Sequence, residues 1–319
     1  MFMVTVMLGR HDEIAAALQL ALLLEVSAYP KPGNVHRMRD FEHTRFEHFL
    51  ASATALGSHF RLAALHGRRL ADRRGQSAKL AIGARMKRAV EACSDWQHGG
   101  NTSLGVILLL TPIAYAAGMI APRSEMKARD IRSNLRRIVR RTTPVDAVNT
   151  YRAISYASPG GIGRVPELDV NDENSIVEIR KRNLSLLEIF RISAEYDTIS
   201  WEWVNDFSVT FDVGLPFLVR ELRSKRDINV AVVDTYLRIL SEIPDTLIAR
   251  RQGLSTTKAI SLRAKRVLRT GGMRTARGRR AVKEMDEALQ RSGHPCNPGT
   301  TADLTASALA VLILCGYRP

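Results

Sequence analysis

The stretch L-G-V-I-L-L-L-T-P-I-A-Y-A-A-G-M-I-A at residues 104–121 decides the fold, because so long a run without a charge must either cross a bilayer or lie inside a protein. It contains Gly105, Thr111, Pro112, Tyr115 and Gly118, and the other apolar run, residues 306–315, is too short to return across a membrane. A helix that is hydrophobic on every side is what the centre of a large helical protein needs. The expectation is therefore a buried helix and no membrane partner.

Working outward, the flanking sequence repeats its apolar residues at three-to-four spacing. Ile14, Leu18, Ala21, Leu22 and Val26 make one face; Phe46, Phe49, Leu50, Ala53 and Leu56 make another. Ile176, Ile179, Leu184, Leu187 and Phe190 mark a third, less regular helix, and similar patterns occupy residues 146–156, 201–222, 230–240, 281–289 and 301–315. Breaks fall at residues 29–33, 98–100, 158–161, 271–272 and 294–299, each carrying Pro or Gly. Alternating strand patterns are absent. The reading is an all-α fold, a single large multi-helix bundle of about ten or more helices. No linker composition and no fixed-period repeat divides the chain, so residues 1–319 are read as one domain.

Forty-seven Lys and Arg against 32 Asp and Glu give a net charge of +15, which favours an anionic partner: nucleic acid, a membrane surface or a polyphosphate. Aromatic residues make up only 6%, and the clusters Arg136-Arg137, Arg140-Arg141 and residues 274–280 lack the interleaved rings that stack on single-stranded bases. Nucleic acid is accordingly disfavoured, and the clusters read as solvated helix faces or loops. Cys93, Cys296 and Cys315 are far apart and odd in number, which indicates neither a disulfide framework nor a zinc site. The apolar opening, residues 1–8, has no basic residue before it and meets Arg10, His11 and Asp12 too soon for a signal peptide. A cytoplasmic protein is expected.

Four loops could carry chemistry. In E-V-S-A-Y-P-K-P-G-N-V-H at residues 25–36, two prolines stiffen the chain, Gly33 permits close approach to a ligand, and Lys31 would be presented for phosphate binding. His36, Asp40 and His43 follow a near-helical spacing, a weak metal signal. G-G-N-T-S-L-G at residues 99–105 offers helix-start amides with Asn101 and Thr102 beside them. N-P-G-T-T-A-D-L at residues 297–304 places Thr300 and Asp303 at capping-box spacing. S-P-G-G-I-G-R at residues 158–164 has Gly160 and Gly161 to admit a phosphate and Arg164 to attract it, but fits neither a Walker A loop nor a dinucleotide fingerprint.

In this order, residues 25–35, 101–105 and 297–304 resemble the triphosphoribosyl-dephospho-CoA synthase family, with weaker likeness at Asp245-Thr246, Arg251-Gln252-Gly253 and residues 160–164. The resemblance implies an all-helical enzyme that joins the triphosphoribosyl group of ATP to the ribose 2′-hydroxyl of 3′-dephospho-CoA and expels adenine. After Pro32-Gly33 the sequence departs from the family pattern, reading Val35-His36 and then Arg39-Asp40-Phe41, which leaves a related nucleotide-like acceptor open.

Breaking an N-glycosidic bond builds positive charge on the ribose, so carboxylates should face it. Glu25, Asp40 and Asp303 are the candidates, with Asp40 the first choice as base. Lys31, Arg37 and Arg164 would hold the triphosphate, with Mg²⁺ bound chiefly through its oxygens and no dedicated protein metal site. Asn101, Thr102 and Asn297, with Gly299 and Thr300 in the same loop, would orient ribose or base. Two rival readings remain: a helical nucleotide hydrolase that uses water as acceptor, and a basic RNA-associated protein whose loops only cap helices.

Overall fold

A computed structural model of the chain describes residues 9–72, 79–160, 163, 165, 167–225, 227–290 and 294–319. Among these lie fourteen α-helices, in order α1 (Arg10–Ser27), α2 (Phe46–Ala71), α3 (Ile82–Trp96), α4 (Leu104–Gly118), α5 (Ala128–Val139), α6 (Pro144–Ala157) and α7 (Glu173–Lys181). The second half holds α8 (Leu186–Ser193), α9 (Thr198–Val204), α10 (Leu215–Lys225), α11 (Ile228–Glu242), α12 (Thr246–Arg269), α13 (Ala276–Gln290) and α14 (Gly299–Leu314). The fold is all-α. The described residues form no strand, and the lone bridge between His36 and Arg39 sits in a loop.

The apolar stretch is α4, and it is buried along its whole length except at Gly105. It packs on α1, α2, α3, α5 and α14, and no helix among the described residues is long and apolar enough to cross a membrane. Gly67 of α2 and Gly118 of α4 let the two helices touch: a Cβ on either would run into the carbonyl of Tyr115 or Ala64. Pro112 lacks the amide that would bond the carbonyl of Leu108 four residues back. The Trp203 indole N–H donates to that carbonyl instead, at 3.1 Å, so the proline is accommodated without an orphaned buried oxygen. α14 is buried nearly all round as well and packs on α1, α4, α10 and α11.

Two expected segments are broken. Residues 176–190 split into α7 and α8 at Asn183, where φ is +55°; Ser185 then opens α8 with a reciprocal box to Glu188. Residues 201–222 are not continuous either: α9 stops at Val204, Asp206 and Phe207 take positive φ, and a π-helical turn at Val209–Gly214 precedes α10. The cause is Glu202. Its buried carboxylate accepts from the amides of Val209 at 2.7 Å and Thr210 at 3.0 Å and from the Thr210 hydroxyl, restarting the helix from inside the protein. The patterns marked in the sequence miss α3, α5 and α12. The signal for α5 was there, in Ile131, Leu135, Ile138 and Val139, while α12 is interrupted by Gly253 at φ +81°.

Burial pushes the Glu202 carboxyl up to about 7. A raised folded-state value means that stability is fully present below the unfolded value near 4.5 and is lost as pH rises through 7. Gln at this position does not titrate. The stability difference between wild type and Glu202→Gln, followed by denaturant melts, should therefore move toward the variant by about 3 kcal/mol across that window. A pH-independent difference would contradict it.

Candidate active site

Glu25 lies on the last turn of α1, and the chain then turns through Tyr29-Pro30-Lys31-Pro32-Gly33. The loop is held at nearly every step. Asn229 bonds both the amide and the carbonyl of Tyr29, the Tyr236 hydroxyl donates to the carbonyl of Pro32 at 2.8 Å, and Gln290 donates to that of Asn34. The Gly33 amide donates to Asp286 Oδ1 at 3.0 Å, and His36 Nε2 lies 3.3 Å from Asp286 Oδ2. The loop is thus tethered along its length, but Lys31 is not presented on its surface. Its side chain turns inward, is 0% exposed, and its ammonium donates to Glu25 Oε1 at 2.5 Å and to the Glu25 carbonyl at 3.2 Å. Gly33, at φ +75°, packs on Leu289 rather than on open space for a ligand.

The second loop approaches α4. Gln97 clamps it, accepting from the Gly99 amide and donating to the Gly100 carbonyl at 2.8 Å. Asn101 Oδ1 accepts from the amides of Ser103 and Leu104, capping α4, and the Thr102 hydroxyl pairs with Ser52 and Ser103.

The third loop starts α14, and here the capping-box expectation is corrected. The N-cap position is Pro298, with no side-chain cap bond; Asp245, at the start of α12, accepts from the Thr301 amide at 2.7 Å and hydroxyl at 2.8 Å. The other oxygen of Asp245 takes the amides of Leu247 and Ile248, so one carboxylate caps two helices. Thr300 pairs with Thr246. Asp303 is left to another task. It lies over Gly105, where any Cβ would collide with its Oδ2, so the glycine is what brings the starts of α4 and α14 together around this acid.

These elements surround a cavity of about 560 Å³. Glu25, Asn101, Thr102, Gly160, Asn297, Gly299, Thr300 and Asp303 all line it, so eight expected residues from distant parts of the chain meet there. Lys31 and Gly33 stand behind the wall. Arg37 and Asp40 are exposed and line no part of it: Arg37 lies 5.9 Å from the Tyr29 ring, and Asp40 accepts from the Phe46 amide at the start of α2. Gly161 and Arg164 fall outside the described residues. The near-helical His36, Asp40 and His43 do not gather, and no group of three or more His, Cys, Asp or Glu suited to a metal occurs among the described residues. Sequence reasoning missed Asp169, Asp197, Arg250 and Arg251 on the cavity wall. Arg250 pairs with Asp197 at 3.0 Å. Arg251 had a signal, the Arg251-Gln252-Gly253 segment.

Burial raises the carboxyls of both Glu25 and Asp303, and it lowers the ammonium of Lys31. Lys31 touches Glu25 and opposes the effect directly there, whereas it acts on Asp303 only as a weaker field. Asp303 also feels Glu25, Asp245 and Asp197, and is held well above the usual carboxylate range. The arrangement pairs an acid backed by a cation with one that keeps its proton more tightly, the separation that divides roles between two carboxylates.

The profile of the ATP:dephospho-CoA triphosphoribosyl transferase family matches residues 11–318. Relatives from Pseudomonas fluorescens, 35% identical over 103 residues, and Pseudomonas syringae pv. tomato, 31% over 105, carry the name probable 2-(5″-triphosphoribosyl)-3′-dephosphocoenzyme-A synthase. The matches cover 32% and 33% of this chain and 35% of each relative, so the chain spans about a third of their length. A crystal structure from Archaeoglobus fulgidus that carries a triphosphoribosyl-dephospho-CoA synthase name superposes with a TM-score of 0.61 at 27% identity, covering 84% of this chain and 100% of that one.

Proposed function

The chain belongs to the ATP:dephospho-CoA triphosphoribosyl transferase family, and from that premise we propose that it moves the 5-triphosphoribosyl group of ATP onto the ribose 2′-hydroxyl of 3′-dephospho-CoA with release of adenine. The observation that carries the reading is the meeting of Glu25 and Asp303 on one cavity wall, one acid backed by a buried lysine and the other not.

As the bond from C1′ to adenine N9 breaks, positive charge grows on the ribose, and a fixed carboxylate beside it lowers the barrier. Glu25 suits that role, because Lys31 favours its ionised form; Lys31 is then a positioning residue rather than a phosphate ligand. Asp303, which holds its proton, suits the role of acid: it gives that proton to the departing adenine as the bond to N9 breaks. The proton of the 2′-hydroxyl passes to Glu25 as the bond from C1′ to that oxygen forms, so the proton given to adenine is replaced and the count balances. Asp40 is set aside as base. Arg250 and Arg251 attract the triphosphate in place of Arg37, and Asn101, Thr102 and Asn297 orient ribose or base. Mg²⁺, bound chiefly through phosphate oxygens, would neutralise charge there; Asp169 and Asp197 are the oxygen donors on the wall that fit it. ATP as substrate suits a cytoplasmic enzyme.

Purified protein incubated with ATP, Mg²⁺ and 3′-dephospho-CoA should yield free adenine and a triphosphoribosylated product in equal amounts by mass analysis. Adenine release at the same rate without acceptor would favour hydrolysis instead.

A further inference from the structure

A second cavity, of about 310 Å³, backs onto the first. The two share Asn101, Thr102, Ser103 and Leu104 as a common wall. The remainder of the second comes from α3, through Val90, Cys93 and Ser94, from the loop that carries Gln97, His98 and Gly100, from Ile107 of α4, and from the end of α6, through Tyr156 and Ala157. Its lining differs in charge. The main cavity presents Glu25, Asp169, Asp197, Arg250, Arg251 and Asp303, whereas the second has no Asp, Glu, Lys or Arg.

A cavity of about 560 Å³ is in the range that takes one drug-sized ligand. The proposed reaction needs two nucleotides at once, and one of them carries a long uncharged pantetheine arm. We propose that the second cavity is the subsite for that arm: the nucleotide end of the acceptor reaches the main cavity, and the amide-containing chain lies between α3 and α6. This inference rests on the transferase reading.

Three details favour it. Gly100, which lines the second cavity next to the shared Asn101, is exposed, has φ +77°, and would have nothing within 4 Å of a Cβ, so it leaves room for a chain beside the common wall. Asn101 has its carboxamide oxygen taken by the backbone of Ser103 and Leu104, which leaves its N–H groups for a ligand amide on either side of the wall. A lining without Asp, Glu, Lys or Arg would be a poor bed for phosphates, whereas its polar side chains, Ser94, His98 and Asn101 among them, can bond the amides of an arm that covers them.

Ser94 and Tyr156 line only the second cavity, so substitutions there leave the Glu25 and Asp303 wall untouched. In Ser94→Trp, which fills the space, binding of 3′-dephospho-CoA measured by calorimetry should weaken by about ten-fold or more, while ATP and ADP, which lack the arm, bind as before. Tyr156→Ala, which removes a wall, should move the acceptor in the same direction by a smaller factor, and it carries the test if a thermal melt shows the Trp variant unfolded. Equal weakening of all three ligands, no change for the acceptor, or a wild-type protein that binds dephospho-CoA no tighter than ADP would each overturn the subsite. These constants do not depend on turnover: a wild type that releases no adenine fails the transferase reading separately.

Discussion

Asp303→Asn is expected to release adenine about 100-fold or more slowly than wild type while melting at an equal or higher temperature. The rate loss follows if the carboxyl gives its proton to the departing adenine, because the amide keeps the shape but has no such acidity. The melting result follows from burial. Asp303 caps nothing, since Pro298 holds the cap position and Asp245 takes the Thr301 amide. Its folded-state value is raised, so ionising it inside the protein costs stability that Asn does not forfeit. That cost is absent below the unfolded value near 4 and grows as pH rises through the raised one, so the variant's advantage should open with increasing pH. A variant that melts well below wild type yet turns over normally would return Asp303 to a structural role.

Lys31→Met should be the most destabilising of the substitutions considered, at about 3–5 kcal/mol, because it leaves the Glu25 carboxylate buried without its partner. Replacing both members, as Glu25→Gln with Lys31→Met, should restore most of that stability, since a buried pair is roughly interchangeable with a well-packed uncharged one. Adenine release should not return with it, because the charge that faces the ribose is gone. Denaturant melts and the adenine assay on the single and double variants check both halves. A mildly destabilised Lys31→Met that binds adenosine normally but ATP weakly would instead favour a phosphate contact.

The fold was legible because its signals are local. An uninterrupted apolar run such as α4 has few ways to be buried, and three-to-four spacing marks α1, α2 and α11 directly. The breaks inside residues 201–222 were not legible, since Glu202 reaches seven and eight residues ahead to amides that periodicity treats as ordinary helix. The site was half legible for a related reason. Motif order brought Glu25, Asn101, Asn297 and Asp303 to one wall, but spacing cannot tell which side of a loop meets the cavity. Lys31 looked presented because prolines flank it, and only the Asp286, Asn229 and Tyr236 tethers turn it inward. Arg37 and Asp40 shared its neighbourhood in sequence and ended in solvent.

Those tethers also set a timetable for synthesis. His36 and Asp286 are 250 residues apart, and at about 5–20 residues per second the ribosome needs about 12–50 s to bridge them. Until α13 emerges, the loop after α1 lacks Asp286 and Gln290, and until α14 follows, α1 lacks a helix that covers it. The growing polypeptide therefore displays an oily flank for tens of seconds before the far end arrives to close it. Contacts of such long range also slow refolding from denaturant. The interval before the last helices are made is when this protein is most open to capture by chaperones or to sticking to its neighbours.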